Sequence, residues 1–298
     1  MNTPIIEINQ LTKSYGINKG VFNLSFSVNE GEVFGFIGPN GAGKTTTIRH
    51  LLGFIGSDHG DCHIFGLETK AHAAEIQESL GYLPGEIMFF DHMTGVEFLK
   101  LMANLRKLTD LSKMHELIAF FELDPAGRIK KMSKGMKQKL GLIAAFMHDP
   151  KVLILDEPTS GLDPLMQTKF VELVLEEKKQ GKTILMSSHS FEEVERTCDR
   201  AGIIKEGVLI ALEDIQELKK TQRKAFIVRT KDDASIETLK TMDLEIIQER
   251  NRELEVAVSG DIMPFIKKLA NIQVESLDIK SQSLEEVFMD YYKRGERA

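Results

Sequence analysis

The stretch GPNGAGKT, Gly38–Thr45, decides the fold, because it fits the spacing G-x-x-x-x-G-K-[ST]. It follows the apolar run GEVFGFI and precedes a helix predicted from about Lys44 to Leu52. A glycine-rich turn in that context lets successive N–H groups surround an anion, and the helix start adds its dipole. The stretch therefore predicts a phosphate-binding loop rather than an ordinary turn. Its predicted binding residues are Gly38, Pro39, Asn40, Gly41, Ala42, Gly43, Lys44, Thr45 and Thr46.

Two residues of this loop have specific expected roles. Lys44 is expected to reach the β- and γ-phosphates of a nucleotide, and Thr45 to ligate Mg²⁺.

The run VLILDE supplies a pair of acids, Asp156 and Glu157. An apolar strand that ends in two carboxylates suits the ligand-binding edge of a parallel sheet. Combined with the phosphate loop, it predicts that Asp156 holds Mg²⁺ through water and that Glu157 orients and deprotonates an attacking water. Taken alone, a strand ending in Asp-Glu is more often the start of a solvated loop.

Two ring-bearing residues are further candidates. His189, in SSHS, follows another apolar strand at the edge where a γ-phosphate is expected, so it is predicted to contact that phosphate as a donor. Tyr15, in KSYG, is predicted to stack on adenine. The alternatives are a solvent-facing histidine and a tyrosine that only packs at a strand end.

The stretch MSKGMKQK, Met132–Lys139, predicts a helix capped by Ser133, with Gly135 inside and no acid in its first turn. Lys134 and Lys137 oppose the helix dipole, and an incoming phosphate would reverse that unfavourable sign. The alternative is a capped amphipathic helix with a solvated basic face.

The composition is that of a globular protein. The chain has 298 residues, enough for about two domains, and is 42% hydrophobic and 28% charged. A net charge of -7 argues against a nucleic-acid partner. Cys62 and Cys198 form neither a disulfide framework nor a metal motif, which favours a reducing cytoplasm. No secretory signal and no apolar run of about 20 residues is found, so a membrane role requires a partner.

The organisation along the chain predicts strands over residues 5–37 and mostly helices over about 85–150. In the second region Thr94 and Glu97 have capping-box spacing, and Asp124-Pro125 is expected to end the helix SKMHELIAFFEL. The runs KVLILDE and KTILMSS then resume the strand pattern. AGIIKEGVLIAL predicts a hairpin that turns at Glu206-Gly207.

The C-terminal part predicts a separate module. ELKKTQRK is interpreted as a charged connector, followed by a β-α-β-β-α-β order and a final helix, SLEEVFMDYYKR. The expected domains are residues 1–222 and a ferredoxin-like α+β module over residues 223–298. That module either stabilises a dimer or has a regulatory or docking role.

The motifs GPNGAGKTT, MSKGMKQK, LDEP, SGLDP and SSH, in that order, resemble the ATP-binding subunit of an ABC transporter over roughly residues 5–215. The resemblance implies an α/β P-loop ATPase with a RecA-like core, an antiparallel β subdomain and a helical subdomain. It implies ATP and Mg²⁺ as cofactors. In this family Ser133 and Gly135 complete the ATP site of the opposite subunit, and Asp163 lies in the loop that links the two sites.

The chain departs from the family pattern at two places. The usual signature L-S-G-G-Q is here Met132-Ser133-Lys134-Gly135-Met136. Gly85, in GYLPGE, occupies the position of a glutamine that senses Mg²⁺ or the lytic water. Slower turnover or altered Mg²⁺ coordination is the resulting hypothesis.

The expected function is ATP hydrolysis that powers export, since the tail resembles ATPase subunits of ABC-2 type drug and peptide exporters. The expected partners are a second copy or a related ATPase subunit and separate membrane permease subunits, which place the chain on the inner face of the membrane. The helical region should dock on the permease, with IMFF, Ile87–Phe90, as candidate contacts. One alternative is a soluble ABC ATPase acting on ribosomes or DNA. Another is a P-loop GTPase, but no N-K-x-D motif follows the loop.

Overall fold

The computed structural model describes residues 4–17, 19–221, 224–258, 262–270 and 272–281. The chain folds as two compact units, Met1–Ile215 and Gln216–Ala298. The final helix predicted over residues 283–294 lies outside the described residues.

The first unit contains a six-stranded sheet in the order β10-β9-β3-β8-β7-β6. Its five strands from β9 to β6 are parallel, and β10 pairs antiparallel with β9. Two of the inner strands, β3 and β7, are fully buried, which fits their largely apolar sequences. The strands are β3 (Val33–Ile37), β6 (Leu80–Leu83), β7 (Val152–Asp156), β8 (Thr183–Ser188), β9 (Arg200–Lys205) and β10 (Val208–Asp214).

An antiparallel sheet, β2-β1-β4-β5, packs against the parallel sheet. The rings of Phe26 and Phe34, one from each sheet, stack with their centroids 5.0 Å apart. The two sheets therefore share one hydrophobic core. Its strands are β1 (Pro4–Ser14), β2 (Gly20–Asn29), β4 (His59–Ile64) and β5 (Leu67–Glu68).

The helices of the first unit follow the strands or form the helical region. The helical region consists of α3 (Gly95–Leu105), α4 (Ser112–Phe120), a short 3-10 helix (Ile129–Lys131) and α5 (Lys134–Phe146). The others are α1 (Lys44–Leu51), α2 (Ala73–Glu78), α6 (Pro164–Lys179) and α7 (Phe191–Thr197). The capping box predicted for α3 is present, because Thr94 and Glu97 bond each other's backbone N–H groups.

The prediction for the end of α4 is wrong by three residues. The helix ends at Phe120, because Glu122 adopts a left-handed conformation with φ of 51°. The N–H of Leu123 bonds back to the carbonyl of Ile118, which closes the helix before Asp124. Phe121 and Leu123 lie beyond the helix end and are buried there. Their apolar character therefore reflects this burial and not a continuation of the helix.

The charged connector predicted over residues 217–224 is also wrong in part, because α8 (Ile215–Thr221) covers its first half. Ile215 and Leu218 are buried at helical spacing, and this pair makes the segment a helix despite its lysines.

The second unit has the predicted β-α-β-β-α-β order. Its four-stranded antiparallel sheet has the order β12-β13-β11-β14, which is the ferredoxin-like arrangement. Phe226, Leu254 and Phe265 belong to its separate core. The elements are β11 (Lys224–Thr230), α9 (Asp233–Lys240), β12 (Glu245–Arg250), β13 (Glu253–Val258), α10 (Met263–Leu269) and β14 (Val274–Ser281).

Candidate functional site

The loop between β3 and α1 lines an open cleft of about 500 Å³. Gly43 has φ of 112°, and a Cβ there would lie 2.8 Å from Cγ1 of Val21, so only glycine fits. Helix α1 begins without a side-chain cap and without an acid in its first turn. No acid in that turn neutralises the positive end of the helix dipole, which therefore favours an anion in the cleft.

Lys44 is the cation of this cleft, and its side chain is only 5% exposed. Its Nζ donates to the carbonyl oxygens of Gly38 at 2.6 Å and Pro39 at 3.3 Å. The same Nζ lies 3.6 Å from Oε1 of Glu157. The ammonium is thus held between the glycine-rich loop and the carboxylate of Glu157, which follows β7.

Asp156 ends β7 and is 2% exposed. Thr45 Oγ1 donates to its Oδ2 at 2.8 Å, and Ser187 Oγ donates to its Oδ1 at 2.5 Å. The described residues contain no group of three or more metal-binding His, Cys, Asp or Glu side chains. Mg²⁺ at phosphate sites needs only one or two protein oxygens beside phosphate and water, so Thr45 and Asp156 fit this ion.

Glu157 follows Asp156 in a left-handed conformation with φ of 49°. Its backbone N–H donates to Ser187 Oγ at 3.0 Å, which fixes the residue against β8. Its carboxylate reaches the cleft, and Oε2 lies 3.7 Å from Nδ1 of His189, which is 65% exposed. Both sequence-predicted catalytic residues therefore lie side by side at one edge of the sheet.

Four cleft residues were not singled out in the sequence: Gly20, Arg49, Tyr82 and Pro84. Burial and the negative charge of Asp156 raise the pKa of Tyr82 to about 12. Arg49 lies four residues after Thr45 on α1, and this spacing, which places both on one helix face, was the available signal.

Seven predicted site residues do not line the cleft of their own chain: Gly38 and Ala42 of the loop itself, His189 beside Glu157, and Tyr15, Ser133, Gly135 and Asp163. Tyr15 lies in the turn between β1 and β2 and is exposed, and Gly20 forms the cleft wall nearby. Ser133 caps α5, its Oγ accepting from the N–H of Met136 at 3.2 Å. A Cβ on Gly135 would lie 2.8 Å from the carbonyl oxygen of Gly161. Asp163 caps α6, accepting from the N–H of Met166 at 3.0 Å.

Gly85 lies directly over the acid of the cleft. A Cβ built on it would be 3.2 Å from Oδ2 and 3.3 Å from Cγ of Asp156. A glutamine at this position would therefore press against the carboxylate, and the glycine leaves that side of Asp156 open.

Glu193, on α7, is buried behind His189 and Glu157. Ser188 Oγ donates to its Oε2 at 2.5 Å, and the backbone N–H of Ser190 donates to Ser188 Oγ at 2.9 Å. Burial raises the pKa of the Glu193 carboxyl to about 7, and the nearby charge of Glu157 adds to the rise. The Glu193 carboxyl therefore holds the turn that carries His189, and its burial disfavours the ionised form.

This burial predicts a pH-dependent stability. The native state keeps a proton on Glu193 up to pH about 7, whereas the unfolded chain releases it near pH 4.5. Its contribution is most favourable below pH about 4.5 and is lost as pH rises through about 7. We expect Glu193→Gln to raise the melting temperature over wild type more at pH 8 than at pH 5. The exposed neighbour change Glu192→Gln is the control, and an equal gain at both pH values would contradict the assignment.

Comparisons with known proteins agree with this geometry. A family model described as ABC transporter matches residues 21–160, and an AAA-domain model matches residues 128–195. An uncharacterised ABC transporter ATP-binding protein of Nostoc sp. is 33% identical over 98% of this chain and 91% of its own. The bacitracin transport ATP-binding protein BcrA of Bacillus licheniformis is 39% identical over 74% of this chain and 73% of its own. A solved structure of an ATP-binding subunit of an ABC transporter, 30% identical, covers 72% of this chain and 92% of its own, with a TM-score of 0.66.

The fold and the cleft define an ABC-type P-loop ATPase. The chain belongs to the family of ABC transporter ATP-binding proteins, in which ATP hydrolysis is coupled to transport. Both the resemblance and the fold class inferred from the motifs are confirmed. The relatives support transport over action on ribosomes or DNA and over a GTPase switch.

Proposed function

We propose that this chain is the ATP-hydrolysing subunit of an exporter and works as a dimer on separate membrane permease subunits. One observation carries the proposal. Lys44, Thr45, Asp156 and Glu157 converge on one cleft, whereas the helix tip with Ser133 and Gly135 lies outside it. A site whose signature residues do not line their own cleft is explained if a second subunit supplies them.

In the proposed mechanism Lys44 neutralises the β- and γ-phosphates of ATP, and Thr45 and Asp156 hold Mg²⁺. When bound, that ion neutralises charge that develops on the phosphate oxygens. Glu157 orients the attacking water and accepts its proton. His189 donates a hydrogen bond to the γ-phosphate. The 3.6 Å separation of Lys44 Nζ and Glu157 Oε1 supports this arrangement, because the base then lies beside the phosphate-binding cation.

Each α5 tip completes the site of the other subunit, by Ser133 and the first N–H groups of the helix. The missing acid in its first turn supports this role, since an anion from outside then satisfies the helix dipole. The interface is isologous, and a closely related ATPase subunit would serve as partner equally well. Asp163, at the start of α6, lies in the loop that links the two sites.

The membrane link is supported by exposed apolar side chains in the segment between β6 and α3. No described helix is long and apolar enough to cross a membrane. Met88 is 94% exposed and Phe90 is half exposed, so these two residues of Ile87–Phe90 are available to a permease. We therefore place the chain in the cytoplasm, peripheral on the inner face of the membrane. Residues 1–222 serve as the ATPase domain and residues 223–298 as an accessory domain.

Export is supported by similarity to the bacitracin transport protein. The test is to isolate the tagged full chain from membranes, identify the co-purifying membrane protein, and measure ATPase stimulation by bacitracin and unrelated peptides. Co-purification with a permease and ATP turnover support the proposal. Co-sedimentation with ribosomes without a membrane partner would overturn it.

The glycine at residue 85 gives a separate prediction. We expect Gly85→Gln to raise the maximal ATPase rate about fivefold, equivalent to one net hydrogen bond of about 1 kcal/mol, and to shift the Mg²⁺ dependence. Gly85→Ala is the matched control, because it adds the Cβ near Asp156 without the amide. An unchanged rate and unchanged Mg²⁺ dependence in Gly85→Gln would count against a slowing role of the glycine.

A further inference from the structure

Helix α5 makes a buried contact with the turn that carries Glu157. Gln138, on the second turn of α5, is 4% exposed. Its Nε2 donates to the carbonyl oxygens of Glu157 at 3.3 Å and Pro158 at 2.8 Å. The two amide hydrogens of one buried side chain thus satisfy two consecutive carbonyl groups of the catalytic turn.

A second side chain on the same face of α5 contacts the other end of this turn. Lys134 precedes Gln138 by four residues, so both point to one side of the helix. Lys134 Nζ donates to Ser160 Oγ at 2.9 Å, and the N–H of Ser160 donates to the carbonyl oxygen of Glu157 at 3.1 Å. The turn is therefore fastened to α5 at both ends.

The turn that carries Glu157 needs contacts of this kind to keep its conformation. Glu157 has φ of 49°, a conformation that side-chain-bearing residues rarely adopt without external support. Within the described part of the chain, its carboxylate makes longer contacts only, 3.6 Å to Lys44 and 3.7 Å to His189. The direction of the carboxylate therefore depends on the backbone of the turn, which Gln138 and Ser187 hold from opposite sides.

We propose that Gln138 is a positioning residue that sets Glu157 and couples it, through α5, to the nucleotide on the partner's P-loop. The inference rests on the proposed function, in which Ser133 at the tip of α5 contacts that nucleotide. Ser133 and Gln138 lie within two turns of one helix, so a shift of the tip moves the Gln138 amide with it. ATP in one site thereby aligns the catalytic base of the other.

The test replaces Gln138 by methionine, which has a similar shape and no N–H donors. In the full chain we expect Gln138→Met to lower kcat at least about tenfold, with the Kd of the P-loop for ATP within about twofold of wild type. We expect the Hill coefficient for ATP to exceed 1 in wild type and to fall to about 1 in Gln138→Met. The matched control is Gln77→Met, because the buried Nε2 of Gln77 has no hydrogen-bond partner among the described residues. This control should keep the wild-type kcat and Hill coefficient.

Several outcomes decide the matter. A Gln138→Met variant with wild-type kcat and Hill coefficient overturns the inference, as does a kcat that falls without any change in the Hill coefficient. If thermal melting shows that Gln138→Met does not fold, the test uses Lys134→Met instead. Lys134 is exposed, so its replacement should not unfold the protein, and it removes the second contact, the hydrogen bond to Ser160. We then expect a two- to fivefold loss of kcat with a lower Hill coefficient, and an unchanged coefficient overturns the inference. A wild-type chain without ATPase activity would instead refute the proposed function itself.

Discussion

Glu157→Gln is expected to bind ATP, to hydrolyse it about 10²–10⁴-fold more slowly, and to accumulate as a closed dimer. The glutamine keeps the shape of the side chain but removes its basicity, so residue 157 no longer accepts the proton of the attacking water. The ion pair with Lys44 Nζ, 3.6 Å from the carboxylate, is lost, but the phosphate-binding loop is untouched. ATP therefore stays bound, and the state that it stabilises persists.

The measurement is size-exclusion chromatography with ATP and Mg²⁺, alongside a phosphate-release assay. Glu192→Gln is the matched control, because it makes the same change on an exposed residue of α7 and should behave as wild type. Monomer at saturating ATP would contradict the composite site. A rate within threefold of wild type would remove Glu157 from its role as the base.

Lys44→Met should lower the ATPase rate at least about 10²–10³-fold, the usual cost in kcat of removing one preorganised donor from a developing oxyanion, and should also weaken ATP binding. The buried ammonium is the cation that the loop carbonyls of Gly38 and Pro39 hold in the cleft. Methionine has nearly the same length and no charge, so the phosphates lose their partner while the stem still packs.

Binding is best followed by titration with a fluorescent ATP analogue, with thermal melting as a check on folding. Lys179→Met serves as the control, since Lys179 pairs with Glu176 at the exposed surface of α6 and does not line the cleft. If a folded Lys44→Met bound the analogue as wild type does, the phosphate site would have to lie elsewhere.

The sequence predicted the elements whose local residue pattern matches the burial that the fold gives them. The runs before Gly38, Asp156 and His189 are uninterrupted apolar strands, and the structure buries all three in one parallel sheet. Parallel strands bring their carboxyl ends to one edge, so the spacing of the motifs already implied that Lys44, Asp156 and Glu157 meet. The hairpin at Glu206-Gly207 followed from turn chemistry, since both residues have positive φ.

Tertiary contacts decided what the sequence did not reveal. Phe121 and Leu123 continue an apolar pattern but are buried by packing beyond a helix that has already ended. The sequence of α8 contains two apolar residues, Ile215 and Leu218. Two are too few to predict a helix until their burial is known.

The contact of Gln138 with Glu157 and Pro158 joins residues about twenty positions apart. No local pattern predicts a glutamine amide that meets two backbone carbonyls of a distant turn. The same holds for Tyr82, which reaches the cleft because β6 pairs with β7.

The central claim is that two copies of this chain enclose each ATP molecule between the P-loop of one and the α5 tip of the other. The most direct measurement is an experimental structure of Glu157→Gln with ATP and Mg²⁺. The account predicts Ser133 Oγ within about 3 Å of a γ-phosphate oxygen bound to the partner subunit's Lys44. A structure in which Ser133 lies far from every terminal phosphate would contradict it.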